Sequence, residues 1–282
     1  ALSGPKSVVD YMKNWEQLLR GLEELEIPVI AAIEGFCMTG GAEFILACDM
    51  RVGAEGSSYA ITSAKIGTVA GAGGTQRLPR LIGPKIALDM IVSGRHVPAE
   101  EAGEMGILDR VIPADGDLLA EAIKFAEEMA DVRPLPLIRN DGSKLGEATA
   151  DGDIFEAKKK QIARKARNQI APYNNIKAVQ AACELPFDEG IKRERELFEE
   201  LVSSDESKAL RYAFFAEREA QKLPDVPKGT PVREIKTAAV IGAGTMGGGI
   251  AMCFADAGIP VKVLEASQEA LDKGFERIRN NY

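Results

Sequence analysis

Histidine is almost missing from this chain: His96 is the only one in 282 residues. Cysteine is scarce too, with Cys37, Cys48, Cys183 and Cys253 far apart and in no CxxC pair. Zinc sites draw on clustered Cys and His ligands, so no metal is expected. Four dispersed cysteines do not make a disulfide framework either. They read as small apolar residues of a reduced, cytoplasmic protein. Positive charge is also short: 35 Lys plus Arg stand against 43 Asp plus Glu, a formal net charge of −8. Nucleic-acid binding needs a concentrated basic footprint, so none is expected. No apolar run approaches the ~20 residues of a membrane span.

What is present suits a packed α/β protein. Apolar residues make up 45 % of the chain, enough for a core, and 282 residues suggest two domains. Val8, Met12, Trp15, Leu19 and Leu22 recur at helical spacing, which predicts one amphipathic helix up to about Leu25. After Pro28, Val29–Ile33 reads as a buried strand, Gly35 and Gly40-Gly41 as a loop, and Ala42 to Ala47 as a helix start. Met50–Val52 and Tyr59–Ile61 are expected as short strands, ahead of the glycine-rich Gly67–Gly74. From there to about Gln221 the pattern is mostly helical, with helices opening at Pro98 and over Leu118–Met129. A basic cluster, Lys158-Lys159-Lys160 with Arg164, Lys165 and Arg167, reads as a solvated helix face. Its sharper alternative is an electrostatic guide for an anionic substrate.

Leu223–Pro231 carries three prolines in nine residues and predicts an extended linker over 222–235 between a domain at 1–221 and another at 236–282. Beyond it the pattern changes to strand Ala238–Ile241, a glycine turn, a helix to about Ala257, and strand Val261–Leu264. Gly242-Ala-Gly244-Thr-Met-Gly247 is a GxGxxG between strand and helix, and Glu265 follows at the end of the next strand. That context is the dinucleotide fingerprint. Gly242 permits the tight turn, Gly244 lets backbone N–H groups approach a pyrophosphate, and Gly247 lets helix and strand pack closely. Glu265 is placed to accept hydrogen bonds from ribose hydroxyls. Its charge repels a 2′-phosphate, which favours NAD over NADP.

Gly40-Gly41-Ala42-Glu43 sits between strand and helix, where a free backbone N–H is a ready oxyanion donor. Glu43 is either a carboxylate beside that donor or simply a first-turn acid complementing the helix dipole. Spacing alone leaves both open.

Three segments, Glu34-Gly-Phe-Cys-Met-Thr-Gly-Gly-Ala-Glu43, Ala47-Cys-Asp49 and Gly71-Ala-Gly-Gly-Thr-Gln-Arg-Leu78, together resemble the crotonase (enoyl-CoA hydratase/isomerase) superfamily. Leu185–Phe198 looks like that family's C-terminal helices, and Ile241–Ala251 resembles the start of 3-hydroxyacyl-CoA dehydrogenase. Both in this order resemble the multifunctional enzymes of fatty-acid β-oxidation. The resemblance implies a crotonase-like ββα spiral, helix-rich in its C-terminal portion, followed by the first βαβ unit of a Rossmann fold. It implies a coenzyme A thioester as substrate, with Gly40 as an oxyanion donor and Glu43 as one of two proton-handling glutamates. Gly71, Gly73 and Gly74 would shape the acyl and pantetheine side, while His96 matches no catalytic position. NAD would be held by Gly242, Gly244, Gly247 and Glu265. The parent enzyme would be an oligomer or a complex with a thiolase.

One departure stands out. The family's second glutamate falls at Ser63, and a serine hydroxyl cannot carry a carboxylate's charge or its proton near neutral pH. Besides ordinary hydration coupled to NAD-dependent oxidation, two other functions therefore follow. One is altered acyl-CoA enolate chemistry on the same scaffold; the other is a non-catalytic module for acyl-CoA binding or oligomerisation. The resemblance further implies a second oxyanion loop before Ala1 and a His–Glu dehydrogenase pair after Tyr282. The 282 residues themselves are thus expected to be inactive as a dehydrogenase.

Overall fold

A computed structural model describes residues 5–146, 148, 153–227 and 229–282. The chain divides into two compact units, Ala1–Gln221 and Lys222–Tyr282.

The first unit opens with helix α1 (Pro5–Glu23). Met12, Trp15, Leu19 and Leu22 form its apolar stripe and pack against Ala47 and Ala72, with Leu19 fully buried. Strands β1 (Ile30–Ile33) and β2 (Phe36–Met38) lead into helix α2 (Gly40–Ile45). Next come β3 (Met50–Ala54), β4 (Ser58–Ala60), a 3-10 turn at Ser63–Ile66, and helices α3 (Gly74–Ile82) and α4 (Pro84–Ser93). The chain continues through β5 (Val97–Pro98), α5 (Ala99–Met105), β6 (Arg110–Ile112) and α6 (Leu118–Met129).

Two small sheets result. In one, β3 lies between β1 and β6, all parallel, with Ile30 opposite Met50 and Val52 opposite Arg110. In the other, β4 pairs parallel with β2 and antiparallel with β5. Parallel strands need crossovers, and the short helices between strand pairs supply them. This is the strand-pair-then-helix arrangement of a crotonase-like spiral. The helix-rich remainder comprises α7 (Ile154–Ile162), α8 (Ala171–Glu184), α9 (Phe187–Val202) and α10 (Asp205–Ala220). Helix α8 packs on α3, α4 and α9. Ile191, Leu197, Phe198 and Leu201 of α9 are buried.

One sequence expectation is corrected here. The basic cluster is not one solvated face, because α7 ends at Ile162 and Lys158 is buried on it. The Lys158 Nζ lies 2.6 Å from Oδ1 of Asp89 on α4, and a long stem over apolar surface with a paired head accounts for its burial. Of the four cysteines only Cys37 and Cys48 are buried; Cys183 is intermediate and Cys253 is exposed.

In that second unit, β7 (Ala238–Ile241) and β8 (Val261–Leu264) pair parallel, with Ala238 opposite Val261 and Ile241 opposite Leu264. Helix α11 (Thr245–Asp256) makes the crossover, and α12 (Gln268–Asn281) follows.

Candidate active site and nucleotide turn

A cavity of about 810 Å³ opens in the first unit. Its wall includes Gly40 and Glu43 from the start of α2, Ser63 from the 3-10 turn, and Gly71 with Phe198 on the far side. The approach to α2 is strained. Thr39, a β-branched residue, has φ 49° and ψ −111°, a region that glycine enters freely and other residues rarely. Its hydroxyl lies 2.7 Å from that of Thr62, tying the entrance of α2 to the residue before Ser63.

Glu43 is 2 % exposed. Its Oε1 accepts the Ala72 N–H at 2.7 Å and the Gly74 N–H at 3.2 Å. Burial pushes this carboxyl up to about 7, against the pull of those two backbone donors and of Arg77. A carboxyl balanced near neutrality can both take and give a proton. Ser63 is as deeply buried, also at 2 %. Thr68 fixes it, donating its N–H at 3.0 Å and its hydroxyl at 3.2 Å to the Ser63 carbonyl. Among the described residues the Ser63 hydroxyl itself makes no hydrogen bond, so it is free toward the cavity.

The glycines divide. Gly71 is on the cavity wall, and a Cβ there would come within 2.7 Å of the Phe198 ring. Gly73 and Gly74 are not among the wall residues. They form the turn behind it, where a Cβ on Gly74 would sit 2.9 Å from Cγ of Glu43. His96 is exposed, with its ring edge-on to Phe36 and Nδ1 3.3 Å from the Ser58 hydroxyl.

Sequence reasoning missed Glu194. It is 1 % exposed, and burial with the neighbouring Glu43 charge raises its carboxyl to about 8. The signal was available: Glu194 stands three residues after Ile191 and four before Phe198, an acid inside the apolar stripe of α9. Glu23 and Arg77 were missed in the same way; they pair at 2.8 Å with both side chains 3 % exposed.

The second unit carries its glycine turn between β7 and α11. Gly242 has φ +97°, and a methyl group on Gly247 would collide with the Gly242 carbonyl oxygen. Nothing stands within 4 Å of where a Gly244 Cβ would be, which leaves the backbone open to a phosphate. The three glycines therefore leave room for a dinucleotide's pyrophosphate. Glu265 turns inward: its carboxylate accepts the Ala243 N–H at 2.6 Å and the Ala266 N–H at 2.9 Å. Those backbone donors hold it below the usual carboxylate range.

Fold and cavity together define an α/β protein with a crotonase-like unit ahead of the opening of a Rossmann unit. Residues 3–138 match the enoyl-CoA hydratase/isomerase family, and residues 237–282 match the 3-hydroxyacyl-CoA dehydrogenase NAD-binding domain. The chain thus carries a match to each of these two families, in this order. It is 39 % identical over 277 residues to the peroxisomal bifunctional enzyme of Cavia porcellus, a match covering 96 % of this chain and 36 % of that protein. The peroxisomal bifunctional enzyme of Danio rerio is 41 % identical, over 93 % of this chain and 36 % of the relative. A fatty acid oxidation complex subunit alpha of Shewanella putrefaciens is 38 % identical, over 90 % and 36 %. The chain thus spans about a third of the length of these curated relatives. Among solved structures, a putative enoyl-CoA hydratase from Mycobacterium avium paratuberculosis shares the fold. Its TM-score is 0.53 at 24 % identity, over 77 % of this chain and 71 % of that one.

Proposed function

We propose that the first unit binds a 2-enoyl-CoA and adds water across its double bond. The second unit then belongs to the step that oxidises the resulting 3-hydroxyacyl-CoA to 3-oxoacyl-CoA with NAD. The observation that carries this reading is Glu43, a buried carboxyl poised near neutrality on the wall of a cavity that also holds Gly40. The Gly40 N–H would receive the thioester oxygen as the enolate forms. Glu43 would take a proton from water as the water oxygen bonds to C3, and return that proton to C2. Ser63 has a hydroxyl free to hold the water, and the whole proton traffic falls to Glu43. Gly71 would border the acyl chain, with Gly73 and Gly74 acting through the turn that holds Glu43.

In the second unit the Gly242, Gly244 and Gly247 turn would take the pyrophosphate, and Glu265 would reach the adenosine ribose after releasing the Ala243 N–H. NAD, when bound, supplies the hydride acceptor. The cytoplasmic placement rests on cysteine usage, whereas two of the relatives above are named as peroxisomal. No helix among the described residues is long and apolar enough to cross a membrane. An oligomer or a thiolase-bound complex is proposed for the parent enzyme on the resemblance alone.

Altered enolate chemistry is the second reading, favoured by Ser63 on the cavity wall where the family pattern has an acid. Ser63→Glu decides between them. Under the first reading, restoring the second carboxyl raises the existing hydration of enoyl-CoA tenfold or so. An absence of hydration in both the native chain and the variant rejects the first reading. Tight binding of a CoA thioester with no turnover of any kind would leave a non-catalytic module.

A further inference from the structure

Two buried carboxylates meet one stretch of backbone. Four consecutive amides alternate between them. Ala72 and Gly74 donate to Oε1 of Glu43, at 2.7 and 3.2 Å. Gly73 donates to Oε1 of Glu194 at 2.7 Å, and Thr75 to its Oε2 at 3.1 Å. The Thr75 hydroxyl also donates to Glu194, and in turn accepts from Nε2 of Gln76 at 2.8 Å. Successive N–H groups thus point to opposite sides of the turn, one side facing α2 and the other α9. Glu43 reaches the cavity wall, and Glu194 does not.

We propose that Glu194 is a positioning residue for Glu43: it holds the Gly73 and Thr75 amides so that the interleaved Ala72 and Gly74 amides stay aimed at the Glu43 carboxylate. The proposal rests on the reading that Glu43 moves protons in the cavity. Backbone groups buried without an acceptor are costly, so a turn with every second amide held by α9 cannot rotate without losing those bonds. Gly74 permits the approach, since a Cβ there would press on the Glu43 side chain. Arg77 of α3 is the cation facing both acids; it is paired with Glu23 of α1 and donates to the Ala72 carbonyl at 3.1 Å. Lys208 and Arg211 of α10 stand on the cavity wall.

The test uses Glu194→Gln and Glu194→Leu in the 282-residue chain. The glutamine keeps an acceptor for one amide, and the leucine keeps none. Because Glu194 is off the cavity wall, kcat for hydration should fall about tenfold in the first and about a hundredfold in the second, with KM steady within about twofold. A second readout needs no substrate: the infrared band of the protonated Glu43 carboxyl, assigned by its loss in Glu43→Gln and followed through a pH titration. Both variants remove the Glu194 charge equally, so the difference between them reports the amide bonds that favour the Glu43 carboxylate. Its titration should therefore lie about one pH unit higher in Glu194→Leu than in Glu194→Gln. Equal Glu43 titrations in the two folded variants, even with lowered melting temperatures, overturn the proposal and leave Glu194 a fold-stabilising acid. If the native chain hydrates nothing, the functional reading fails, while the infrared titration still decides the positioning role. If Glu194→Leu does not fold, Glu194→Ala takes its place in the comparison.

Discussion

Glu43 lies 2 % exposed on two backbone donors, in a place that disfavours its charge more than those donors restore it. Its reference value of 4.5 rises to about 7 on folding, and that of Glu194 from the same value to about 8. Between the reference and folded values the folded chain keeps a proton that the unfolded chain has released. This contribution to stability is complete below about pH 4.5, declines as pH rises, and is gone above about pH 7 for Glu43. The amount is of order 3 kcal/mol for Glu43. Glu43→Gln, which mimics the protonated form, should match the native melting temperature at pH 5 and exceed it by several degrees at pH 8.5. Parallel melting curves across that range would contradict the buried-acid account. Ser63 belongs to the same scale: its hydroxyl, two atoms shorter than a glutamate carboxyl, does not carry a proton to and fro near neutral pH.

At the scale of elements, the regular pieces follow their local patterns closely. Helix α6 spans the Leu118–Met129 read from periodicity, and β7 and β8 occupy Ala238–Ile241 and Val261–Leu264 as the apolar runs imply. The misreadings share a physical cause. Lys158, Glu194 and Arg77 are charged residues whose burial is created by partners distant in the chain: Asp89, the Gly73–Thr75 turn and Glu23. No local pattern contains those partners, and only an acid inside the α9 stripe hinted at one of them. The glycine turn of the second unit was legible because its constraint is local: strand, turn and helix are contiguous. Gly247→Ala should push the α11 start away from the Gly242 carbonyl and lower NAD affinity at least tenfold, as read by calorimetry on the folded chain. Unchanged affinity would remove the turn from the binding site.

At the scale of the whole molecule, the chain divides at Lys222 into two compact units. The acidic balance, −8 overall, does not extend into the cavity, whose wall bears Lys208 and Arg211 beside Glu43. That combination would draw an anion into the cavity of an otherwise acidic protein. The strained approach to α2 has a different consequence: Thr39 keeps a backbone shape that glycine adopts freely, so the turn ahead of the Gly40 N–H is a sprung joint, stiff where a more permissive residue would let the donor wander.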